Sequence, residues 1–589
     1  MTKKKLNRIK TINIIAIHSG HNAGIALIKN NKLVFAISEE KFTNIKNQSG
    51  FPKLSIHYVL ENYLEDNELI DKIIMSSKIL LPASHHKYLE SQDRKKISFK
   101  ETIKNILKKT VIQFFLKDIR LKFFHKQGLK EAKKGLFDLG LQNIDLEFVD
   151  HHLSHAYSIF PIIGDKFENK KLVFTMDGSG DGVSSTVSIF DNGRLERIAF
   201  TRGSATLGGV YSQTTRFLGM KILEHEYKVM GLAAYAKDKY FMNTYNRVFK
   251  NIVWLSKNNP MTFESRFNLG YFENYLRKVA VGERFDNLSG ALQYFLEDIV
   301  IKWIKESVKH TGITEIITSG GVFMNVKLNK LIQEIPELTK VDFMPSCGDE
   351  SLPFGAAYKV WKEINKNKNF EPNKNIYLGI NYSNKNIERF LDDNEINKKF
   401  SVEYFEDIEK KIAELLSNYK IVARFKGNTE FGARSLGNRA ILGNPKDMKT
   451  FYEVNDMIKV RDFWMPFAPS ILDSYAGRYL KNYDSKKNIP HFMISAYDST
   501  EEFRLNCRAA MHQGDLTARP QVVTRELNEN YYNLICEFEK LTGIGAVLNT
   551  SFNLHGYPLV GTPAQAIFTL ENSGLMFLAM ENWLVSKIK

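Results

Sequence analysis

The residues whose types and spacing point most directly to chemistry are two histidines four positions apart, His151 and His155. In a helix, residues at this spacing lie on one face, so both imidazoles can reach a single metal ion. A glycine-rich turn follows and begins with Asp177, whose carboxylate can close such a site from the end of a strand. Adjacent histidines at a helix start are otherwise surface or N-cap residues. The aspartate turn nearby favours the metal site.

Two segments of the chain share a plan of strands and turns that would position these residues. The sequence predicts strands over 11–17, 25–29 and 32–37, and again over 171–176, 183–190 and 194–200. In both segments the first strand runs into a glycine-containing turn, at 18–24 and at 177–182, and Asn192-Gly193 is a strong hairpin signal. Two such units indicate a duplicated nucleotide-binding fold whose turns offer backbone N–H groups to phosphate.

A third polar turn, Ser319-Gly320-Gly321, follows a predicted strand at 315–318, and a predicted helix at 288–311 precedes that strand. Further on, the segment from Met344 to Ser351 opens another predicted helix that runs through Trp361. Strand, glycine turn and helix in this order can bind phosphate at the helix N-terminus.

The stretch from 365 to 375 is mostly lysine and asparagine and has few residues able to pack, which is typical of a linker. We therefore expect a first domain over 1–364, a linker over 365–375 and a second domain over 376–589. In the second domain the sequence predicts a helix at 407–417 and a strand at 421–425, followed by polar loops that carry several arginines. Guanidinium groups pair with phosphate oxygens, so these loops suit a polyanionic ligand.

Length and composition indicate a globular protein of more than one domain, because 589 residues exceed what one core usually holds. The chain is 43% hydrophobic and 25% charged, and its three cysteines include no Cys-x-x-Cys pair. This excludes a disulfide framework or a cysteine-based zinc site and indicates a reducing compartment. The basic start and the short apolar run after it do not make a signal peptide, and no stretch approaches the ~18 uncharged apolar residues of a membrane span. We expect a cytoplasmic protein.

The formal net charge of +16 is unevenly distributed along the chain. The segment from Lys87 to Lys134 holds 15 Lys or Arg against five Asp or Glu, with phenylalanines, leucines and isoleucines among the lysines. We interpret it as a basic helical insertion over about 86–135. Such helices present a solvated face, or a docking face for a phosphorylated substrate, a membrane surface or nucleic acid.

Seven motifs occur in order from about Asn13 to about Trp583. They are His21 to Leu27, Glu39 to Thr43, His151 to Ala156, Glu226 to Leu232, Gly320 to Val322, Glu430 to Arg439 and Leu548 to Asn553. In these motifs the chain resembles the NodU/CmcH family of carbamoyltransferases, which modify hydroxyl groups on nodulation factors and antibiotics. The resemblance implies an α/β protein with an N-terminal, Kae-like domain of the actin-like ATPase (ASKHA, duplicated ribonuclease H-like) fold, followed by a C-terminal YrdC-like domain.

The resemblance implies an ATP-dependent O-carbamoyltransferase. Its C-terminal domain would form carbamoyl adenylate from carbamoyl phosphate and ATP, and its N-terminal domain would pass the carbamoyl group to a hydroxyl of a sugar or natural product. The family's metal ligands match His151, His155, Asp177 and Asp349, and the metal that it suggests is iron(II), although this ligand set also suits zinc or manganese. A metal there would act as a Lewis acid on developing negative charge.

The remaining site residues are likewise implied by matching motif positions. His21 matches the family histidine proposed to remove the acceptor's proton, a role that an imidazole can fill near neutral pH. The implied adenylate or ATP site comprises Asp181, Lys228, Gly320, Gly321 and Asn325. The implied carbamoyl phosphate site comprises Arg434, Lys459, Arg519, Asn549 and Ser551.

Three positions depart from the family pattern. Met465 stands where the family has an arginine expected to touch phosphate, and the loss of one charge-assisted contact of about 1.5 to 3 kcal/mol would weaken binding roughly tenfold or more. Arg461 is a candidate to compensate. Asn22 replaces the usual aspartate after His21, and Tyr557 replaces a common glutamate. These changes would fit a divergent substrate or a weakened first half-reaction.

Two other functions remain open at this point, a tRNA-modifying threonylcarbamoyl-type enzyme and a sugar-kinase-like enzyme of the same superfold. A non-catalytic descendant is a third possibility, motivated by Met465. The partners that we expect are ATP with Mg²⁺, carbamoyl phosphate and a hydroxyl-bearing acceptor, with no nucleic acid. The sequence leaves a homodimer open.

Overall fold

The structure is a computed structural model that describes residues 12–65, 68–84, 112–366 and 368–588. Its N-terminal part contains two five-stranded sheets and a short two-stranded sheet. The strands are β1 (Ile14–His18), β2 (Gly24–Lys29), β3 (Lys32–Ser38), β4 (Lys72–Met75), β5 (Leu146–Phe148), β6 (Lys171–Gly180), β7 (Val183–Asp191), β8 (Arg194–Arg202), β9 (Val253–Leu255), β10 (Phe263–Ser265), β11 (Glu315–Ser319) and β12 (Lys340–Phe343).

The two five-stranded sheets have the same topology. The first has the order β3-β2-β1-β4-β5 and the second the order β8-β7-β6-β11-β12. In each, an antiparallel meander of three strands is extended by two parallel strands on the side of the first strand. The repeat confirms the duplicated, actin-like fold that the strand pattern and the family resemblance predict.

Hairpin turns explain how the sequence sets this register. Asn30 and Asn31 join β2 to β3 with φ of 54° and 61°, and Asn192 and Gly193 join β7 to β8 with φ of 46° and 79°. Asparagine and glycine tolerate the left-handed region that a two-residue hairpin requires. The six strands predicted in the two segments are all present, with ends shifted by up to four residues.

Helices cover these sheets, and several of them occur where the sequence predicts a helix. The helix predicted at 288–311 spans Phe285–Thr311, the histidine pair starts the helix His151–Tyr157, and the helix predicted to run through Trp361 spans Leu352–Ile364. The other helices of this part are Glu40–Thr43, Lys53–Asn62, Ile112–Asp138, Phe160–Ile163, Leu207–Phe217, Glu226–Ala233, Asp238–Thr244, Phe272–Val279 and Val326–Gln333. The basic insertion is helical over 112–135, and its first part, 86–111, lies outside the described residues.

The C-terminal part is a mixed sheet of eight strands, with a separate pair of short strands. The strands are β13 (Phe400–Tyr404), β14 (Val422–Phe425), β15 (Arg439–Gly443), β16 (Ala468–Leu472), β17 (Tyr497–Asp498), β18 (Thr517–Ala518), β19 (Gln521–Val523), β20 (Ala546–Ser551), β21 (Phe577–Met580) and β22 (Trp583–Lys587). The helices are Asn384–Asp393, Ile408–Ser417, Met448–Val454, Asp473–Tyr479, Glu501–Asn506, Glu529–Thr542 and Pro563–Glu571. The α/β class is thus confirmed for both parts.

The segment expected to be a non-packing linker packs against the first part. Phe370 is buried against Tyr358 and Trp361, and the side-chain amide of Asn373 donates to the Leu33 carbonyl over 2.6 Å. The backbone N–H groups of Glu371, Asn373 and Lys374 also donate to carbonyls of the first part. The predicted domain boundary itself stays a prediction.

The two parts share a hydrophobic core. Phe431, Leu436, Ala468, Met493 and Ile494 of the C-terminal part pack in the same cluster as the second five-stranded sheet. No helix among the described residues is both long and apolar enough to cross a membrane.

Candidate active site

A cluster of two imidazoles and two carboxylates lies where the end of β6, the turn at Asp349 and the helix His151–Tyr157 meet. Asp150 caps this helix by accepting a hydrogen bond from the Leu153 N–H over 3.0 Å, so His151 and His155 lie on one face as predicted. Asp177 lies near the end of β6, and Asp349 lies in the turn before the helix Leu352–Ile364. All four residues are buried or half-buried.

The distances between the four residues fit a common cation. His155 Nε2 lies 3.1 Å from Asp177 Oδ2 and 3.4 Å from Asp349 Oδ1, and His151 Nε2 lies 3.8 Å and 3.6 Å from the same two oxygens. Ligands about 2.1 Å from a tetrahedral ion are separated by about 3.4 Å. His151 Nε2 and Asp349 Oδ1 are buried and have no hydrogen-bond partner among the described atoms. These orphaned atoms fit a divalent metal.

The electrostatics of the cluster also calls for a cation. Burial alone would raise the pKa of Asp177, but the imidazoles of His151 and His155 hold it well below its ordinary value. Burial alone would lower the pKa of His155, but its hydrogen bond to Asp177 and the negative charge of Asp349 raise it to about 9. Two buried carboxylates require positive charge nearby, which either protons on the imidazoles or a metal ion supplies.

Surrounding groups fix the metal-ligand candidates in place. Ser77 Oγ lies 3.2 Å from His151 Nδ1, and Asp181 accepts hydrogen bonds from the backbone N–H groups of Lys78, Ile79 and His151 over 3.0, 2.8 and 2.8 Å. Asp181 therefore anchors the helix start, and its predicted contact with adenylate stays a prediction. A Cβ atom at Gly180 would lie 2.0 Å from His151 Cδ2. Only glycine fits there.

Two further histidines lie beside the cluster. His21 Nδ1 lies 3.5 Å from Asp349 Oδ2, and the His21 side chain is 25% exposed, which lets it reach an adjoining cavity. His18, at the end of β1, has its Nε2 3.8 Å from the same oxygen. Burial lowers the pKa of His18 to about 4. His18 is thus a neutral, buried neighbour that sequence reasoning missed, although its place three residues before His21 was a usable signal.

A single cavity of about 470 Å³ runs between the two parts of the chain. Its N-terminal wall includes His21, Asp177, Gly321 and Asn325. The C-terminal wall includes Arg434, Arg461, Arg519, Asn549 and Ser551. The cavity therefore brings together eight of the residues predicted for four different roles. Its size is that of a typical small-molecule site.

The glycine turn after β11 forms part of the N-terminal wall. Gly320 has φ of 102° and packs on the Met176 carbonyl, where a Cβ would come within 2.3 Å. The Gly321 N–H donates to Asp177 Oδ2 over 3.3 Å, so the turn touches the metal-ligand cluster. Asn325 caps the helix Val326–Gln333 and exchanges amide hydrogen bonds with Gln293. Backbone close to an open cavity is the feature that phosphate recognition needs.

Lys228 makes a contact between the two parts. Its Nζ lies 3.1 Å from Asp462 Oδ2, and its carbonyl accepts a hydrogen bond from Trp464 Nε1 over 3.2 Å. Lys228 is not among the residues that line the cavity. Its predicted adenylate contact stays a prediction.

Three arginines line the opposite wall. Burial lowers the pKa of Arg434 to about 10, and burial together with Arg434 and Arg461 lowers the pKa of Arg519 well below its ordinary value. The Arg434 Nε is buried and has no hydrogen-bond partner among the described atoms, and the Arg461 guanidinium lies over the Phe467 ring, 5.6 Å from its centroid. Converging cationic groups with unused donors form an anion site.

Glu430 holds the loop that carries Arg434. The Glu430 side chain is buried, and its Oε1 accepts backbone N–H groups from Leu436, Asn438 and Arg439 over 2.7, 3.1 and 3.1 Å. The loop is neither strand nor helix, and this carboxylate fixes its shape together with hydrogen bonds from Asn549 to the Ser435 carbonyl and from Gln521 to the Leu436 carbonyl. The sequence motif does not show that Glu430 accepts these three hydrogen bonds.

Of the other residues predicted to bind carbamoyl phosphate, two line the cavity and one supports a loop beside it. Asn549 and Ser551 line the cavity at the end of β20, and Asn549 Nδ2 donates to Ser470 Oγ over 3.0 Å. Lys459 is buried, and its Nζ donates to Ser551 Oγ over 3.2 Å and to Asn553 Oδ1 over 2.6 Å. In this arrangement Lys459 supports the β20 loop, and its direct contact with a ligand stays a prediction.

The three departures from the family pattern all line the cavity. Met465 is buried at the contact with the helix Glu226–Ala233, where a Cβ at Gly231 would lie 3.3 Å from its sulfur. Arg461 lines the same cavity and offers a guanidinium four residues earlier. Asn22 and Tyr557 also line it. The wall further contains residues that sequence reasoning did not select, among them Tyr211, Glu226, Lys327, Glu350 and His512.

Comparisons with known proteins show the family to which the chain belongs. Residues 13–358 match the family model of the carbamoyltransferase N-terminus, and residues 413–587 match that of the carbamoyltransferase C-terminus. An uncharacterized protein of Methanocaldococcus jannaschii, MJ1051, is 31% identical over 98% of this chain and 100% of its own length. The nodulation protein NolNO of Sinorhizobium fredii is 27% identical over 96% of this chain and 79% of its own length.

Among solved structures, full-length HypF in its phosphate- and nucleotide-bound form is 13% identical, with a TM-score of 0.36 over 61% of this chain and 57% of that chain. The two family models together cover most of this chain, and the second matched region contains the arginine loop. The chain therefore belongs to the carbamoyltransferase family and is an enzyme that transfers a carbamoyl group.

Proposed function

We propose that the protein is an ATP-dependent O-carbamoyltransferase that works through a carbamoyl adenylate. The observation that supports this proposal is the cavity, because three arginines line it on one side, and His21 and Asp177, one of the four candidate metal ligands, line it on the other. An activated carbamoyl group made at one wall would need to travel only within this cavity to react at the other.

The first half-reaction would take place at the C-terminal wall. Carbamoyl phosphate loses phosphate by addition of water, and the carbamate oxygen attacks the α-phosphorus of ATP, which arrives with Mg²⁺. A new P–O bond forms, and pyrophosphate leaves. Arg434, Arg461 and Arg519 would bind the two polyanionic substrates, because guanidinium groups pair with phosphate oxygens. A bound anion would also reduce the repulsion between the three arginines.

The transfer step would take place at the N-terminal wall. The acceptor hydroxyl oxygen attacks the carbonyl carbon of carbamoyl adenylate, the bond from that carbon to the phosphate oxygen breaks, and AMP leaves. His21 would accept the hydroxyl proton, supported by Asp349 at 3.5 Å, which favours the positive charge that forms on the ring. A divalent cation at His151, His155, Asp177 and Asp349, iron(II) by family resemblance, would supply Lewis-acid polarisation of the carbonyl and phosphate oxygens.

Enclosure would protect the intermediate. Acyl adenylates hydrolyse in water, and the cavity is closed on several sides by apolar groups such as Met230, Val322 and Phe467. The acceptor would be a hydroxyl of a sugar or natural product.

Product analysis tests the proposal. Purified protein is incubated with Mg²⁺, carbamoyl phosphate and ATP labelled at the α- or the γ-phosphate. We expect pyrophosphate release that requires carbamoyl phosphate and is not supported by acetyl phosphate, and AMP once a hydroxyl acceptor is added. ADP together with a phosphorylated acceptor would instead indicate a sugar-kinase-like enzyme. A product that appears only with tRNA would indicate the tRNA-modifying alternative.

A further inference from the structure

One long helix, Ile112–Asp138, lies at the surface and is bound to the protein along one side. Its inner side is closely packed: a Cβ at Gly128 would come within 2.7 Å of the Leu80 carbonyl oxygen, and one at Gly135 within 2.2 Å of the Phe51 ring. Ala132 and Leu136 are buried on the same side. The opposite side is therefore fixed in its outward orientation.

The outward side carries a stripe of five lysines and two phenylalanines. At about 100° per residue, all seven fall within an arc of about 120°. Glu131 and Asp138, the acidic residues in this part of the helix, fall outside the arc. The seven residues, which we call the basic stripe, are Lys122, Phe123, Lys126, Lys130, Lys133, Lys134 and Phe137, and all are exposed.

The lysines of the basic stripe differ from those on other surface helices. None of the five forms an ion pair with another described residue, whereas Lys302 and Lys359 pair with acids four residues away over 2.7 Å each. The adjoining segment 85–111, outside the described residues, holds eight Lys or Arg against three Asp or Glu. Its charge has the same sign, so it adds to the positive potential and does not neutralise it.

The phenylalanines distinguish between anionic partners. Phe123 is 56% exposed and Phe137 is 67% exposed, and they lie 14 positions apart, which is about 21 Å along the helix. The phosphate backbone of a nucleic acid would pair with the lysines, but it offers no apolar environment for the two separated phenylalanine rings. An anionic bilayer offers both, because lysine heads reach lipid phosphates while rings enter the acyl boundary.

We propose that the basic stripe docks the enzyme on the surface of an anionic lipid bilayer. The helix lies parallel to the surface, with Phe123 and Phe137 inserted and the lysines over the headgroups. This placement is independent of the proposed reaction, since no stripe residue lines the cavity.

Vesicle binding tests the proposal with the full-length protein. We expect co-flotation with vesicles of phosphatidylcholine containing about one third phosphatidylglycerol, weak flotation with phosphatidylcholine alone, and loss of binding at high salt. Reversal of three stripe lysines, K126E/K130E/K134E, should lower the partition constant roughly 100-fold, since each lysine near an anionic surface contributes about a fivefold factor. F123S/F137S should lower it on the order of tenfold.

A matched triple reversal on the exposed side of the helix Phe285–Thr311, K302E/K305E/K309E, changes the net charge equally and should leave vesicle binding within about twofold, because Lys302 and Lys305 already lie 2.7 Å and 3.8 Å from Asp298 and Glu337. All variants should keep the melting temperature and the pyrophosphate release of the parent. Equal loss of binding in both triple reversals would overturn the proposal. So would binding of single-stranded RNA that depends on the stripe lysines, with no binding to vesicles of either composition.

Discussion

Arg434, Arg461 and Arg519 bring like charges into one buried wall, and this arrangement costs folding free energy that a bound anion recovers. Burial lowers the pKa of all three, and the lowering at Arg519 includes repulsion by the other two. Glu350 is the carboxylate that acts on Arg434, but buried arginines that still repel one another serve a ligand more readily than they serve stability. Each of the three should therefore act on substrate binding.

Replacing Arg434 by Ala should raise the KM for carbamoyl phosphate roughly 10- to 100-fold, because one charge-assisted contact of about 1.5 to 3 kcal/mol is lost. The melting temperature should not fall, since a repulsive charge is removed. Steady-state pyrophosphate release checks this. Arg525→Ala, an exposed arginine paired with Glu529 over 2.9 Å, serves as the control and should leave KM unchanged. An unchanged KM in the Arg434 variant would remove it from the site.

The sequence predicts the roles of some site residues and not those of others. His151, His155 and Asp177 could be selected because helical spacing and a strand-end turn place them locally. Asp349 was reached only through the family resemblance, because nothing local links it to a site about 200 residues away along the chain. His18 and Glu350 were missed, because a buried polar group acquires its neighbours only when distant strands assemble.

Close approach between secondary-structure elements sets the geometry of the metal-ligand cluster. Gly180 at the end of β6 allows the His151 ring to lie against the strand, and Gly355 allows the helix Leu352–Ile364 to pack on the Ser154 carbonyl, where a Cβ would come within 1.7 Å. A side chain at either position would separate the elements that carry His151, His155 and Asp349.

Replacing Gly180 by Ala should displace His151 and lower metal content, because its Cβ would lie 2.0 Å from the imidazole. Metal analysis of the purified variants checks this, with a loss on the order of tenfold expected for a displaced ligand. Gly178 is the matched control two residues earlier, since a Cβ there meets no heavy atom within 4 Å. Full metal content in the Gly180 variant, or equal losses in both, would contradict the assigned ligand set.

At this scale the sequence predicted strands and hairpins better than loops. The Asn-Asn turn in one sheet and the Asn-Gly turn in the other lie between strand-forming segments, so the local sequence predicts the antiparallel meander of each sheet. The segment 365–375 looked like a free linker because its composition is polar, but docking of Phe370 depends on a pocket formed by Tyr358 and Trp361. The motif includes Glu430, but the sequence does not show that its carboxylate helps to fix the shape of the Arg434 loop.

At the scale of the whole molecule, polar and apolar contacts join the N-terminal part to the C-terminal part. The buried Asn329 donates to the Phe323 and Ile494 carbonyls, and Lys330 Nζ lies 2.8 Å from Asp498 Oδ1. The His512 imidazole donates from Nε2 to the Gly231 carbonyl over 3.0 Å and accepts the Gly514 N–H at Nδ1. Such a ring must be neutral.

His512 should therefore make stability depend on pH. Burial and the nearby Lys327 lower its pKa from 6.5 to about 4, against the opposing effect of its bond to the Gly231 carbonyl. A depressed folded-state pKa means that this stabilisation is present above pH 6.5 and is lost as the pH falls toward about 4, up to about 3 kcal/mol. Urea unfolding of the wild type and of His512→Gln across this range checks it, and the variant should show the smaller slope. Equal slopes would contradict the assignment.

The arrangement of the two parts was beyond sequence reasoning. Domain types follow from motifs, but the shared core of Met493 and Ile494 with the second sheet follows only from packing. The same packing creates the cavity, so the pairing of the arginine wall with the metal-ligand cluster is a property of the assembled chain.

The claim that two half-reactions are divided between the two walls is tested most directly by His155→Ala. His155 belongs to the metal-ligand cluster and lies opposite the arginine wall. The variant should keep carbamoyl-phosphate-dependent pyrophosphate release at a rate near that of the wild type, while the carbamoylated product and AMP disappear. Arg434→Ala, measured alongside, should lose pyrophosphate release. If His155→Ala remains folded yet loses pyrophosphate release together with transfer, the division between two walls is contradicted.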